Sequence, residues 1–189
     1  LIASVGDVAD EITSRTAIAR IEQAWGGIDV LVNNAGLPSA WTGGDDWQRW
    51  RLGIDQTLSS VYLMCSLVAP GMRARRAGRI INIASRAAFL PMPTAEWYAA
   101  AKAGVVSLTR SLATRLGPDG IRVNAICPDV IETPRTRAML EDEVRRRALL
   151  ARIPLGRFGR PEDIAEAALF LASDQTAGFI TGTALMVDG

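Results

Sequence analysis

Tyr98-Ala99-Ala100-Ala101-Lys102 sets a phenol and an ammonium one helical turn apart, and Ser85 lies thirteen residues upstream. A Lys four residues after a Tyr shares its helix face, and its charge lowers the phenol pKa by favouring the phenolate. A phenol tuned in this way can move protons near neutral pH, which is general acid–base chemistry. The same spacing also recurs on helices whose long side chains bury their stems and wet their tips, so the rest of the chain has to decide between the two readings.

Composition removes several other chemistries. The chain has no histidine and only two cysteines, Cys65 and Cys127, far apart and in apolar surroundings. That excludes His-based triads and a His/Cys zinc set, so no metal site is expected, and it reads as two buried thiols in a reducing compartment, the cytoplasm. The 21 basic and 20 acidic residues leave a net charge of +1 with no basic stripe, so no nucleic-acid partner is expected. Arg145-Arg146-Arg147 follows Glu141, Asp142 and Glu143 and reads as a solvated helix face, an acidic partner site being the alternative. No apolar stretch approaches the roughly 20 residues needed to cross a bilayer, the longest running from Val61 to Ala69, and the first residues lack the pattern of a signal peptide. A cytoplasmic protein with no membrane partner is expected.

The elements that must position the Tyr–Lys pair follow from periodicity. Strands are expected at Ile28–Val32, Arg79–Ile83, Ile121–Ile126 and Ala184–Val187, with helical patterns at Ile12–Trp25, Asp46–Met72, Tyr98–Leu116 and Glu162–Ala172. Alternation of this kind implies an α/β fold, a parallel sheet covered on both faces. Residues 1–189 form one domain by length. In the helix that opens with the pair, Tyr98, Lys102, Val105, Thr109, Leu112 and Leu116 form one stripe, polar only at its start, and Gly117-Pro118-Asp119-Gly120 ends it. Strand C-termini of a parallel sheet share one edge, where ligands bind. Asn33-Asn34-Ala35-Gly36, Ser85 and the segment Pro128–Thr133 each follow a strand and so converge on that rim.

These residues together resemble the short-chain dehydrogenase/reductase family. The resemblance rests on Asp7-Val8, Asn33-Asn34-Ala35-Gly36, Ser85, Tyr98 with Lys102, Cys127-Pro128 through Ile131-Glu132-Thr133, Gly159-Arg160-Pro161-Glu162-Asp163, Ile180-Thr181-Gly182 and Val187-Asp188-Gly189. It implies a Rossmann-like, doubly wound parallel sheet in three α/β/α layers. It also implies an NAD- or NADP-dependent oxidoreductase that moves a hydride between the nicotinamide and a carbonyl or secondary alcohol. In that scheme Tyr98 is the acid or base, Lys102 depresses its pKa and holds the nicotinamide ribose, and Ser85 orients the substrate oxygen. Asp7 and Val8 would meet the adenine, Asn33, Ala35 and Gly36 would line the cofactor, and Ile131 and Thr133 would cover its nicotinamide end. Asp7 reads equally well as a turn former or helix cap.

The chain departs from the family pattern in three places. The first strand, glycine-rich turn and helix of the family, which hold the pyrophosphate, have no counterpart before Leu1, so the expected fold lacks the first β-α-β part and the chain reads as N-terminally incomplete. Thr57 stands where the family usually has an Asn that holds a proton-relay water, and Asp129 stands where Pro-Gly is customary. These departures motivate the alternative of a non-catalytic scaffold or binding protein that keeps the fold.

Substrate contacts are expected from the loops: Leu37–Gly44, Arg86–Trp97 and a substrate loop or lid at 130–157, with Thr136–Leu150 as one lid helix. Ser85, Arg86 and Trp97 are the candidate substrate residues. Trp41, Phe89, Met92 and Trp97 suit a hydrophobic or weakly polar carbonyl compound. Arg86, Arg135 and Arg137 are either a carboxylate clamp or solvated cations. The resemblance implies a homo-oligomer, a tetramer or dimer.

Overall fold

A computed structural model describes residues 1–189. The β-branched runs form four strands, β1 (Val30–Asn33), β2 (Gly78–Ile83), β3 (Ile121–Pro128) and β4 (Ala184–Val187), all parallel and in the order β1-β2-β3-β4. The seven residues from Ile121 to Cys127 are all buried, as a strand covered on both faces requires. Its apolar members, Ile121, Val123, Ala125, Ile126 and Cys127, pack into the two layers, while the polar Arg122 and Asn124 are buried with partners, Arg122 donating to Leu171 O at 2.8 Å and Asn124 to Ile180 O at 2.9 Å.

One face of the sheet carries α1 (Glu11–Trp25), α3 (Ser60–Arg75) and α4 (Glu96–Leu116). Ile18, Cys65, Val68, Met72, Val105, Leu112 and Leu116 from these helices pack on Leu31, Ile80, Val123 and Ala125 of the strands. Each such Leu or Met contributes roughly 1.5–3 kcal/mol by leaving water. The other face is covered by α7 (Pro161–Ala172) and α8 (Asp174–Ala177), whose Leu171 and Ala177 meet Ile81 and Ile126. The doubly wound, three-layer α/β/α sheet is therefore present. α7 contacts β2, β3 and β4 but leaves β1 open on that side, so Val30 and Val32 are exposed while Leu31, on the opposite face, is buried.

The helix expected at Asp46–Met72 is three pieces: α2 (Asp46–Ile54), one π turn (Asp55–Ser59) and α3. Asp45 starts it with a capping box, its side chain accepting from Gln48 N while Gln48 reciprocates. The run 46–75 is long and apolar enough to cross a membrane by length and composition, contrary to the sequence reading. Here Val61, Cys65, Val68, Ala69 and Met72 are spent on the sheet. The single lid helix expected over Thr136–Leu150 is instead two short helices, α5 (Arg137–Glu141) and α6 (Glu143–Leu150). Asp142 separates them in extended geometry, and its carboxylate caps α6 by accepting from Arg145 N at 3.1 Å.

A buried polar chain fixes the register of the sheet beneath the helices. Asn33 Nδ2 donates to Asn82 Oδ1 at 2.8 Å, Asn82 Nδ2 donates to Thr109 Oγ1 at 2.9 Å, and Thr109 Oγ1 donates to Val105 O at 2.8 Å. A one-residue slip of β1 against β2 would break the first link and leave amides unpaired in the core.

Candidate active site

Ser85 sits one residue beyond the end of β2 pairing, after Ala84, and starts a short 3-10 turn over Arg86–Ala88. Its Oγ accepts from Ala87 N at 3.1 Å, which anchors the oxygen and leaves the hydroxyl proton free to donate. Across from it α4 begins at Glu96, with Ala95 O accepting from Tyr98 N and Ala99 N. Tyr98 and Lys102 share the first face of this helix, and the rest of their stripe, Val105, Thr109, Leu112 and Leu116, is buried against β2 and β3.

Lys102 is 7% exposed, and its Nζ donates to Ile83 O, the end of β2, at 2.6 Å. Burial pulls its ammonium down from 10.5 to about 8. The ammonium lies 5.7 Å from the centre of the Tyr98 ring. Burial also pushes the Tyr98 phenol above its ordinary value, and what opposes this is the Ser85 hydroxyl and then the charge of Arg135. The expectation that Lys102 sets the phenol low is thus corrected: its charge is committed to a strand-end carbonyl, and desolvation dominates at the phenol.

Thr57 lies in the π turn and is fully buried, and its Oγ1 has no hydrogen-bond partner. A side chain at Gly36 would come within 3.6 Å of that oxygen, and Gly104 lets Leu58 of the same turn close against α4. The orphaned hydroxyl is therefore held between the end of β1 and the Tyr–Lys helix, where an ordered water would satisfy it.

The residues expected to meet the cofactor divide into groups. Val8, Asn33, Asn34 and Ala35 line one small cavity of about 80 Å³ at the end of β1. Asn33 turns its amide inward to Asn82 and Cys65, so its contribution is mainly to hold the strand end. Asp7 is engaged on both oxygens: Oδ1 accepts from Ala9 N at 2.8 Å and Oδ2 from Gln56 Nε2 at 2.7 Å. It ties its own turn to the π turn. Ile131 pairs with Gly159 across a single bridge, and Thr133 is locked to Thr136, whose Oγ1 donates to Ile131 O at 2.6 Å. Ile131 lines a cavity with Val187, and Thr133 lines another with Arg137. At the rim by β1, Ala35 and Gly36 present little bulk, Val8 is an apolar wall, and Lys102 places a buried donor at the end of β2, a chemistry that suits part of a nicotinamide cofactor.

Arg86 is not a free cation. It forms a half-buried ion pair with Asp129, so the residue that breaks the customary loop pattern neutralises the guanidinium next to Ser85. Arg135 instead reaches Gly36 O at 3.4 Å. Trp97 is 5% exposed and stands edge-on to Tyr98, with ring centres 5.6 Å apart and planes at 87°. Phe89 is more than half exposed and does not line the large cavity beside Trp97. Sequence reasoning missed Asn82, Gly53, Trp50 and Met139. Asn82 alone had a signal, a polar residue inside an apolar strand run.

Comparison with known proteins places this geometry. The family described as enoyl-(acyl carrier protein) reductase matches residues 2–189. The 3-oxoacyl-(acyl-carrier-protein) reductase FabG of Thermotoga maritima is 39% identical over 184 residues, which cover 97% of this chain and 74% of that protein. A Xanthobacter autotrophicus protein named inactive 2-(S)-hydroxypropyl-CoM dehydrogenase 2 is 41% identical over 193 residues, covering 97% and 81%. The structure of a gluconate 5-dehydrogenase from Burkholderia cenocepacia in complex with NADP and tartrate is 36% identical, with a TM-score of 0.89 over 98% of this chain and 73% of that one. With a parallel sheet whose strand ends gather Ser85, Tyr98 and Lys102, this chain belongs to the short-chain dehydrogenase/reductase family, oxidoreductases that act on CH–OH and C=O groups with NAD or NADP.

Proposed function

We propose that Tyr98 is the acid and base of a carbonyl–alcohol interconversion, with Ser85 and Lys102 completing its site. The observation that carries this reading is the meeting of three chemistries at one rim: an anchored hydroxyl with a free proton, a half-buried phenol and a buried ammonium. Bound NAD(P)H supplies the hydride for reduction, and NAD(P)⁺ accepts it in oxidation. Ser85 donates to the substrate oxygen and holds it against Tyr98. In reduction the phenol passes its proton to that oxygen as negative charge grows there; in oxidation the phenolate takes the proton back. Lys102 keeps a positive charge under the phenol and turns its remaining protons toward the cofactor rim, where Val8, Ala35 and Gly36 give room.

Thr57 Oγ1 holds a water that returns protons to Tyr98, in this reading, because an orphaned buried hydroxyl demands a partner. Residues 1–189 act as one unit, and 130–157 form a substrate loop pinned at its base by the Ile131–Gly159 bridge. Ile131 and Thr133 hold that base. Asp7 shapes the turn before α1, where it borders the adenine end.

The test is nicotinamide absorbance against a panel of ketones and secondary alcohols, with Tyr98→Phe beside the unmodified chain. Loss of about 10²- to 10⁴-fold in turnover with an unchanged melting temperature is expected, and retained turnover would remove Tyr98 from the role. A second reading, a scaffold that binds without turnover, draws on Thr57, on Asp129 and on the relative named inactive. Cofactor binding with no turnover across the panel would favour it. We also propose a cytoplasmic homo-oligomer, supported by two buried unpaired cysteines and by exposed Trp47, Leu52 and Tyr62 on the outer side of α2 and α3. Light scattering of the purified chain reads the assembly directly.

A further inference from the structure

A cavity of about 870 Å³ opens beside the candidate site, between the 39–42 loop, the 92–97 segment and the helices α5 and α6. Three of the chain's five tryptophans line it, Trp41, Trp50 and Trp97, each from a different element, together with Met92 and Met139. Trp97 forms the inner wall that touches Tyr98. Trp41 meets Trp97 edge-on, with centres 6.4 Å apart and planes at 88°, so the two rings make a corner. Gly53, one helical turn after Trp50, exists as glycine because any Cβ there would strike the Trp97 ring at 2.2 Å. The backbone of α2 has thus been brought against this ring.

The charges around the cavity do not select an ion. Arg49 is paired with Asp46, and the other two, Glu96 and Arg145, are opposite in sign. Arg86, the cation nearest Ser85, is neutralised by Asp129. What remains, besides the hydroxyls of Ser39, Thr42 and Thr94, is a roomy aromatic corner with two adaptable methionines, which suits a flat, largely apolar group better than a carboxylate.

We infer, on the oxidoreductase reading above, that the substrate is a ketone or secondary alcohol bearing a bulky ring system, aromatic or fused alicyclic, which seats against Trp41, Trp50 and Trp97 while its oxygen meets Ser85 and Tyr98. In the reductive direction the carbonyl carbon gains a hydride from NAD(P)H, its oxygen gains the Tyr98 proton, and the products are the ring-bearing alcohol and NAD(P)⁺. The phenolate recovers its proton from solvent.

Three probes test this: 2-acetylnaphthalene, 2-butanone and 5-keto-gluconate, each measured for binding by titration calorimetry with and without NADP⁺ and NAD⁺, and for turnover by nicotinamide absorbance. Trp41→Ala and Trp50→Ala are run beside the unmodified chain, with melting temperatures recorded to certify folding; both positions are partly solvent-exposed. The naphthyl ketone is expected to bind at least about ten-fold more tightly than either other probe, and each substitution is expected to cost it about ten-fold, the scale of one lost aromatic contact with its buried area. Equal binding of the three probes, or unaltered naphthyl affinity in both folded variants, overturns the proposal. Selective naphthyl binding with no turnover of any probe sustains the ring site and overturns the oxidoreductase reading. Turnover of 5-keto-gluconate in preference to the naphthyl ketone does the reverse.

Discussion

Lys102 is the most exacting point at which to test this structure, because its ammonium is buried and pulled down from 10.5 to about 8. An unfolded chain holds that proton up to about pH 10.5, whereas the folded chain releases it near 8. Below pH 8 both states are protonated and folding bears the whole cost of burying the charge, about 3 kcal/mol at 1.4 kcal/mol per pH unit. As pH rises from 8 to 10.5 the cost disappears, so this group makes the protein more stable with increasing pH. The thiols act in the opposite sense: burial raises Cys65 from 9.0 to about 12 and Cys127 from 9.0 to about 11, so their stabilisation is lost above pH 9. Subtraction separates the two. Lys102→Met keeps the stem and deletes the amine, the thiol contributions cancel in the difference, and the lost bond to Ile83 O adds only a pH-independent offset of about 1–2 kcal/mol. Urea unfolding followed by tryptophan fluorescence at pH 7, 8, 9 and 10 should show the stability of the unmodified chain relative to the variant rising by about 2.5 kcal/mol between pH 7 and 10. A difference that stays flat, or that falls with pH, would refute the buried-ammonium geometry on which the candidate site rests.

Asp129→Asn keeps a partner for Arg86 but removes the neutralising charge, so inhibition by benzoate should strengthen about ten-fold; unchanged inhibition would mean that the guanidinium does not face the substrate. Gly53→Ala gains up to about 1 kcal/mol of helix propensity, yet its Cβ would strike Trp97, so a net loss of about 1–2 kcal/mol in thermal unfolding is expected from overpacking. A stabilised variant would show that Trp97 has freedom to move. Asn82→Leu leaves the Asn33 amide without its acceptor and the Thr109 hydroxyl without its donor. Urea midpoints should report a cost of about 2–4 kcal/mol with the same m-value.

Most of the fold was legible because the signals were local and redundant. The run Ile121–Ile126 reads as a strand from its β-branched residues, and Gly117-Pro118-Asp119-Gly120 stops α4 where it should, with Gly120 at φ 73. What failed were places where tertiary packing overrides periodicity. The π turn at Asp55–Ser59 leaves the apolar pattern of 46–75 intact, so a straight helix reads equally well. Asp142 breaks the lid through a backbone conformation and an N-cap that a helical charge pattern conceals. The apolar run Val61–Ala69 is by itself too short to cross a membrane, yet the helix around it continues through Pro70 to Arg75.

The candidate site divides along the same line. Ser85, Tyr98 and Lys102 could be found because each is tied to an element boundary: the end of β2 or the first turn of α4. Their electrostatics could not, since helical spacing places Lys102 beside Tyr98 but says nothing of Ile83 O, which captures the ammonium. The Arg86–Asp129 pair was equally hidden: two residues 43 positions apart meet only because β2 and β3 are parallel neighbours whose ends leave at one rim. Sequence presented them as a free cation and an anomalous acid, whereas in the fold each accounts for the other. The same reasoning explains Trp50 and Gly53. Their importance comes from Trp97 reaching across from α4, so the aromatic corner beside Tyr98 exists only once α2 has docked, and a substrate that depends on it would lose affinity from changes far from the phenol in sequence.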